Sequence, residues 1–171
     1  MTGMSQRSTI ETFARIALLR SGPQDLPFST GLMGAVIAIT AAINYPVIAR
    51  YTPESEPLLQ ILLLLLYNLG FLGAALWIRG HSARFVQTAT AVFGTDVIVS
   101  TIALPVLLVI GSPNESNALA AISFLVLIIW NIAIVNHILH QALMLNRVIT
   151  LGITLVYIFG ASAFVRAVIG A

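Results

Sequence analysis

The stretch Leu58 to Ile78 reads LLQILLLLLYNLGFLGAALWI, and its reading decides the fold class. It holds 21 residues and no charged side chain. At about 1.5 Å per residue, a helix of this length just crosses a hydrocarbon core of about 30 Å. A lipid-facing β-strand alternates apolar and polar residues over about ten positions. This run does not alternate. A surface helix of a soluble domain keeps a polar stripe, and Gln60 and Asn68 alone cannot make one.

The rest of the chain agrees. Of its 171 residues, 58% are hydrophobic and 8% charged, with a mean hydropathy of +0.99. Soluble domains carry about 25% charged residues, so this chain lacks the polar surface to coat a globule in water. The expected class is an all-α integral membrane protein with about five spans near residues 28–49, 58–78, 94–111, 118–140 and 148–169. Residues 1–27 form a cytoplasmic or interfacial segment, and 28–171 form the transmembrane domain. Thr9 to Arg20 has Ile10, Phe13 and Ile16 at helical spacing, which predicts a short amphipathic helix lying in the membrane interface. Met1 to Arg20 has no long apolar core, so it is not expected to be a cleaved signal peptide. Ser82 to Phe93 is read as a second interfacial helix, and Gly94-Thr95-Asp96 as the start of a short third span with Pro105 inside it.

Cysteine is absent, which excludes disulfides, thiol catalysis and thiolate metal sites. All eight basic residues are arginines. No basic run points to nucleic acid. With five spans, Arg7, Arg15, Arg20, Arg79, Arg84 and Arg147 share one side, against Arg50 and Arg166 on the other. The positive-inside bias therefore predicts a cytoplasmic N-terminus and an external C-terminus. Arginine-only usage suggests a bacterial inner membrane. Asn114-Glu115-Ser116 matches a glycosylation triplet, which says little unless the host is known. Trp77 and Tyr51 fit interface anchors, and Trp130 is expected to pack between helices.

Few polar residues could carry function. Asp96 is read as an N-cap of span three, where the helix dipole favours a carboxylate. The alternative is a buried carboxylate paired with Arg84 or a histidine. His137 and His140 share a helix face, but a metal site needs further ligands, and only Asp96, Asp25 or His81 lie at similar depth. No metal or cofactor is expected. Asp25, Arg79, Arg84, Asp96, His137 and His140 form the candidate polar cluster on the cytoplasmic side. Asn44, Asn68, Asn131 and Asn136 lie within spans. They are expected to bond across helices or to backbone freed by Pro46, or else to line a polar path. Gly31/Gly34, Gly70/Gly73 and Gly160 to Ala163 are small-residue patches that would permit close packing. No Ser-His-Asp order, phosphate loop or carboxylate pair is present, so an enzyme is not expected.

Asp25-Leu26-Pro27, Arg84-Phe85-x-Gln87-Thr88 with Gly94 and Pro105, and Trp130 through His140 together resemble the Yip (Ypt/Rab-interacting protein) domain family in its bacterial branch. The resemblance covers roughly residues 15 to 170. It departs at Thr95, where the family often has tyrosine, and in lacking a long N-terminal extension, so Rab binding is not carried over. The resemblance implies a five-span, partner-binding membrane protein without known catalysis. The leading expectation is therefore a non-enzymatic accessory or scaffold protein that binds a protein partner, a second copy of itself or lipid. The rival is a small oligomeric transporter or channel. A cavity lined by Asn44, Asn68, Asn131 and Asp96 would favour the rival, and a tightly packed bundle would favour the first.

Overall fold

A computed structural model describes residues 8–51, 56–110 and 118–169. The described chain is helical: α1 (Thr9–Ala17), α2 (Thr30–Tyr51), α3 (Pro57–Ile78), α4 (Phe85–Ile110), α5 (Ala118–Leu143) and α6 (Arg147–Ile169). Short 3-10 turns at Pro23–Asp25 and Ser82–Arg84 join α1 to α2 and α3 to α4. Helices α2 to α6 are the five that are long and apolar enough to cross a membrane. Large apolar side chains face outward on them, among them Leu62, Leu66, Ile129 and Val156. A soluble protein of this size would hide such residues. Arg7, Glu54, the Asn114 triplet and the side chain of Tyr51 lie outside the described residues.

The five long helices pack as a ring. Helix α2 packs on α4, α4 on α5, α5 on α6, α6 on α3, and α3 closes back on α2. Helix α4 is the most enclosed, with 44% of its apolar window buried against 11% for α2. Its buried stretch, Thr88-Ala89-Thr90-Ala91, has small side chains that let neighbouring backbones approach closely. The Thr88 and Thr90 hydroxyls donate to carbonyls one turn back, Arg84 O at 2.8 Å and Val86 O at 2.6 Å. Thr150 and Thr154 do the same on α6. A polar group that bonds within its own helix costs little in an apolar core.

This corrects the expected third span. Residues 85–110 form one continuous helix, so the stretch up to Phe93 is not a separate interfacial helix and Asp96 caps nothing. Gly94-Thr95-Asp96 does not break α4, because Thr95 bonds within the helix and neighbouring helices accommodate the other two. Thr95 donates to Ala91 O at 2.8 Å, Gly94 faces α1, and Asp96 faces the bundle interior.

Helix α1 is docked on the bundle. Ser8 caps it by accepting from Glu11 N–H at 3.2 Å. Thr12, Phe13, Ile16 and Ala17 are buried against α4 and α5, while Ile10 remains outside. Phe13 fills the notch left by Gly94, where an added Cβ would stand 2.1 Å from the ring. The Trp130 indole N–H on α5 donates to Ala17 O at 3.0 Å, so Trp130 packs between helices as expected. Helix α3 ends in a Schellman turn: His81 N–H donates to Leu76 O at 2.8 Å, with Gly80 at φ +70°. Tyr67 and Phe71 of α3 meet Tyr157 of α6 at ring separations of 5.3 to 6.3 Å, which ties α3 to α6.

The small-residue patches behave unevenly. An added Cβ at Gly160 would meet the Tyr67 hydroxyl at 2.1 Å, so close packing is real there. At Gly34 and Gly70 nothing lies within 4 Å, so within this chain those glycines do not mediate packing.

Candidate functional site

The expected polar cluster divides in two. Asp25, Arg79, Arg84, His137 and His140 sit where the Pro23 turn, the Ser82 turn and the end of α5 meet. Asp25 accepts from Gly22 N–H at 2.9 Å and closes its own turn. Arg79 and Arg84 donate to the Leu143 and Gln141 carbonyls, each at 3.3 Å. These are free carbonyls of the last turn of α5, and cations suit a helix C-terminus. His140 Nδ1 lies 2.5 Å from Leu145 O. His137 Nε2 lies 3.0 Å from Ser21 O and 2.7 Å from Gln141 Nε2. Gln141 in turn accepts from Gln24 at 2.6 Å. These side chains latch the Ser21 to Leu26 connection onto α5. Among the described residues, no three of His, Cys, Asp and Glu are grouped to hold a metal. Gln141→Ala is expected to lower stability by about 1 kcal/mol, the net worth of a typical hydrogen bond. Chemical denaturation in detergent micelles would measure it. No loss would show that the latch is slack.

Asp96 is not part of this latch. It lies on α4 about 16 Å along the axis from Phe85, too deep to meet Arg84. It borders a cavity of about 350 Å³ inside the ring. All five long helices contribute to the wall. Thr40, Asn44 and Ile48 come from α2, and Ile61, Leu64, Leu65 and Asn68 from α3. Phe93, Thr95 and Asp96 come from α4, Asn131 and Val135 from α5, and Tyr157, Ile158 and Ala161 from α6. Asn44, Asn68, Asn131 and Asp96, from four different helices, therefore converge on one space.

The polar wall is only partly tied down. Asn44 Nδ2 donates to Thr40 O at 3.0 Å and lies 3.5 Å from Asp96 Oδ2. Ser100, one turn further along α4, lies beside Asp96. Thr40 Oγ1 donates across to Phe93 O at 3.2 Å and pins α2 to α4 beside the cavity. Asn44 thus bonds across helices as expected, but its backbone partner is Thr40 rather than a carbonyl freed by Pro46. Among the described residues, the Asn68 and Asn131 amides bond to no other protein group. Their polar atoms are not sealed either, since the buried side-chain atoms without a partner belong to His81 and Asn136. The amides of Asn68 and Asn131 open on the cavity. Asn136 is not in its wall.

Thr40, Thr95 and Tyr157 were not expected as site residues. A signal for the first was present. Thr40, Asn44 and Ile48 recur every four residues, as one helix face requires. No protein-family model, curated protein or solved structure matches this chain.

Proposed function

We propose that this chain is a non-enzymatic, multi-pass protein of a bacterial cytoplasmic membrane that takes a small polar solute into its bundle, as a transporter or channel does. One observation carries the reading: Asn44, Asn68, Asn131 and Asp96, intramembrane polar residues from four helices, line a single cavity. In hydrocarbon an unbonded amide costs several kcal/mol, so such groups are tolerated where water or a ligand reaches them. The cavity volume lies in the range of about 300 to 1,000 Å³ usual for small-molecule sites. One chain supplies the whole lining, so the site does not require oligomerisation.

The partner-binding reading has less behind it. It relied on the lack of a catalytic set and on two interfacial helices forming a cytoplasmic docking face, and the second of those helices is part of α4. The Yip-domain resemblance adds nothing about a partner. Orientation enters through arginine bias: the N-terminus is placed in the cytoplasm and the C-terminus outside. In that frame α1 lies at the cytoplasmic interface, with Ile10, Leu18 and Leu19 turned outward towards lipid headgroups.

The absence of cysteine makes the test direct. Ala41 lines the cavity, and Leu62 points outward from α3. In intact cells, the Ala41→Cys chain is expected to react with a water-soluble, membrane-impermeant thiol reagent faster than the Leu62→Cys chain. Equal, slow labelling of both from either side of the membrane would sink the solute reading.

A further inference from the structure

We infer that the solute is a small organic monocation whose ammonium group pairs with Asp96 and whose apolar body fills the rest of the cavity. This rests on the reading that the cavity admits a solute, and it names the solute's chemistry.

The charges decide the sign. Among the described residues, Asp96 is the one carboxylate in the wall, and no Arg, Lys or His lines it. An anion would meet a carboxylate with nothing to offset it. A neutral solute would leave Asp96 either ionised without a counter-charge in the membrane interior, an expensive arrangement, or forced to take up a proton. A monocation neutralises it one for one. A divalent metal fits poorly, because hard dications take several charged or carbonyl oxygens in a tight shell. The wall has a single carboxylate and amides spread over three other helices.

The hydrogen-bonding groups suit an ammonium. An ammonium brings donors and no acceptor. The wall offers acceptors that remain unused. Both Asn44 N–H groups face Thr40 O and Asp96, which leaves Asn44 Oδ1 available. Asn68 and Asn131 each add an amide to the wall that has no protein partner among the described residues. A carboxylate accepts about four bonds, and Asn44 accounts for one at Asp96.

Size and wall character then call for an organic body. A water occupies about 30 Å³ of liquid, so a space of about 350 Å³ is far larger than an alkali ion needs. Between these polar groups the wall is apolar, with Ile48, Leu64 and Ile158. The aromatic residues Phe93 and Tyr157 also border the space.

The test uses the full chain in lipid nanodiscs and three probes that share one body: phenethylammonium, 2-phenylethanol and phenylacetate. Binding is read by calorimetry, with empty nanodiscs subtracted. The amine is expected to bind, the acid not to, and the alcohol to bind about 30-fold or more weakly, as loss of a buried charge partner implies. Asp96→Asn is expected to bring the amine down to the level of the alcohol. Equal binding of amine and alcohol by the native chain overturns the cation assignment and leaves the solute cavity standing. Loss of all probe binding while Ala41→Cys still labels does the same. No probe binding together with an unlabelled Ala41→Cys chain overturns both. If Asp96→Asn fails to fold, the native three-probe comparison decides by itself.

Discussion

Phe13→Ala and Gly94→Ala are each expected to loosen α1 from the bundle, and the double variant is expected to cost less than their sum. Phe13 is buried, with its ring in the notch at Gly94. Removing a buried phenylalanine ring from a core costs about 3 to 5 kcal/mol. Alanine at Gly94 would gain about 1 kcal/mol in helix propensity. The same methyl would stand 2.1 Å from Phe13 Cε1, and overpacking of this kind costs about 1 to 3 kcal/mol. The ring is held by its own burial, so the clash wins. Without the ring the added methyl has room, so the two changes couple. Gly70→Ala is the control: nothing lies within 4 Å there, so it should be neutral or mildly stabilising. Trp130 reports the event, since its indole N–H bonds to Ala17 O at the end of α1. In a Trp77→Phe background it is the single tryptophan. Its emission should shift at lower denaturant in each single variant than in the parent. Strictly additive shifts would show that the notch is not what positions α1.

That docking shows where the sequence was readable and where it was not. The four longest apolar runs announce their helices, because length and lack of charge settle a span without help from neighbours. Residues 82–96 do not. Gly94-Thr95-Asp96 before an apolar run is the local pattern of a helix start, and nothing within the segment contradicts it. What overrides it comes from elsewhere in the chain: Phe13 from α1 occupies the glycine notch, and Asn44 from α2 reaches the aspartate. The same limit applies to the site. That Asn44, Asn68 and Asn131 matter was legible from their rarity in apolar runs, but their convergence depends on the order in which the helices pack. One part was readable in advance. Asn131 and Asn136 are five apart on α5, about 140° around a helix, so both cannot face one cavity, and only Asn131 does. The clustered arginines and histidines show the reverse case. Charge gathered at a helix end looks like a binding face, yet here Arg79 and Arg84 bond to the free carbonyls of α5, and the histidines to the Ser21 and Leu145 carbonyls.

Ala161→Phe is expected to close the cavity while leaving the bundle intact. Ala161 lines the space one turn beyond Tyr157 on α6, so a larger side chain there points into the void and not into packed neighbours. Filling a real cavity commonly adds about 0.5 to 2 kcal/mol of stability, because apolar surface is buried at about 25 cal/mol per Å². In the Ala41→Cys background, the second change should slow thiol labelling to the rate of the lipid-facing Leu62→Cys control. Amine binding should vanish with it. Stability and access would then move in opposite directions, which separates a functional void from a packing fault: filling a mere fault would raise stability without removing any binding. If Ala41→Cys labels as fast as before, water reaches α2 by a route outside this cavity, and the convergence of Asn44, Asn68, Asn131 and Asp96 is a matter of packing alone.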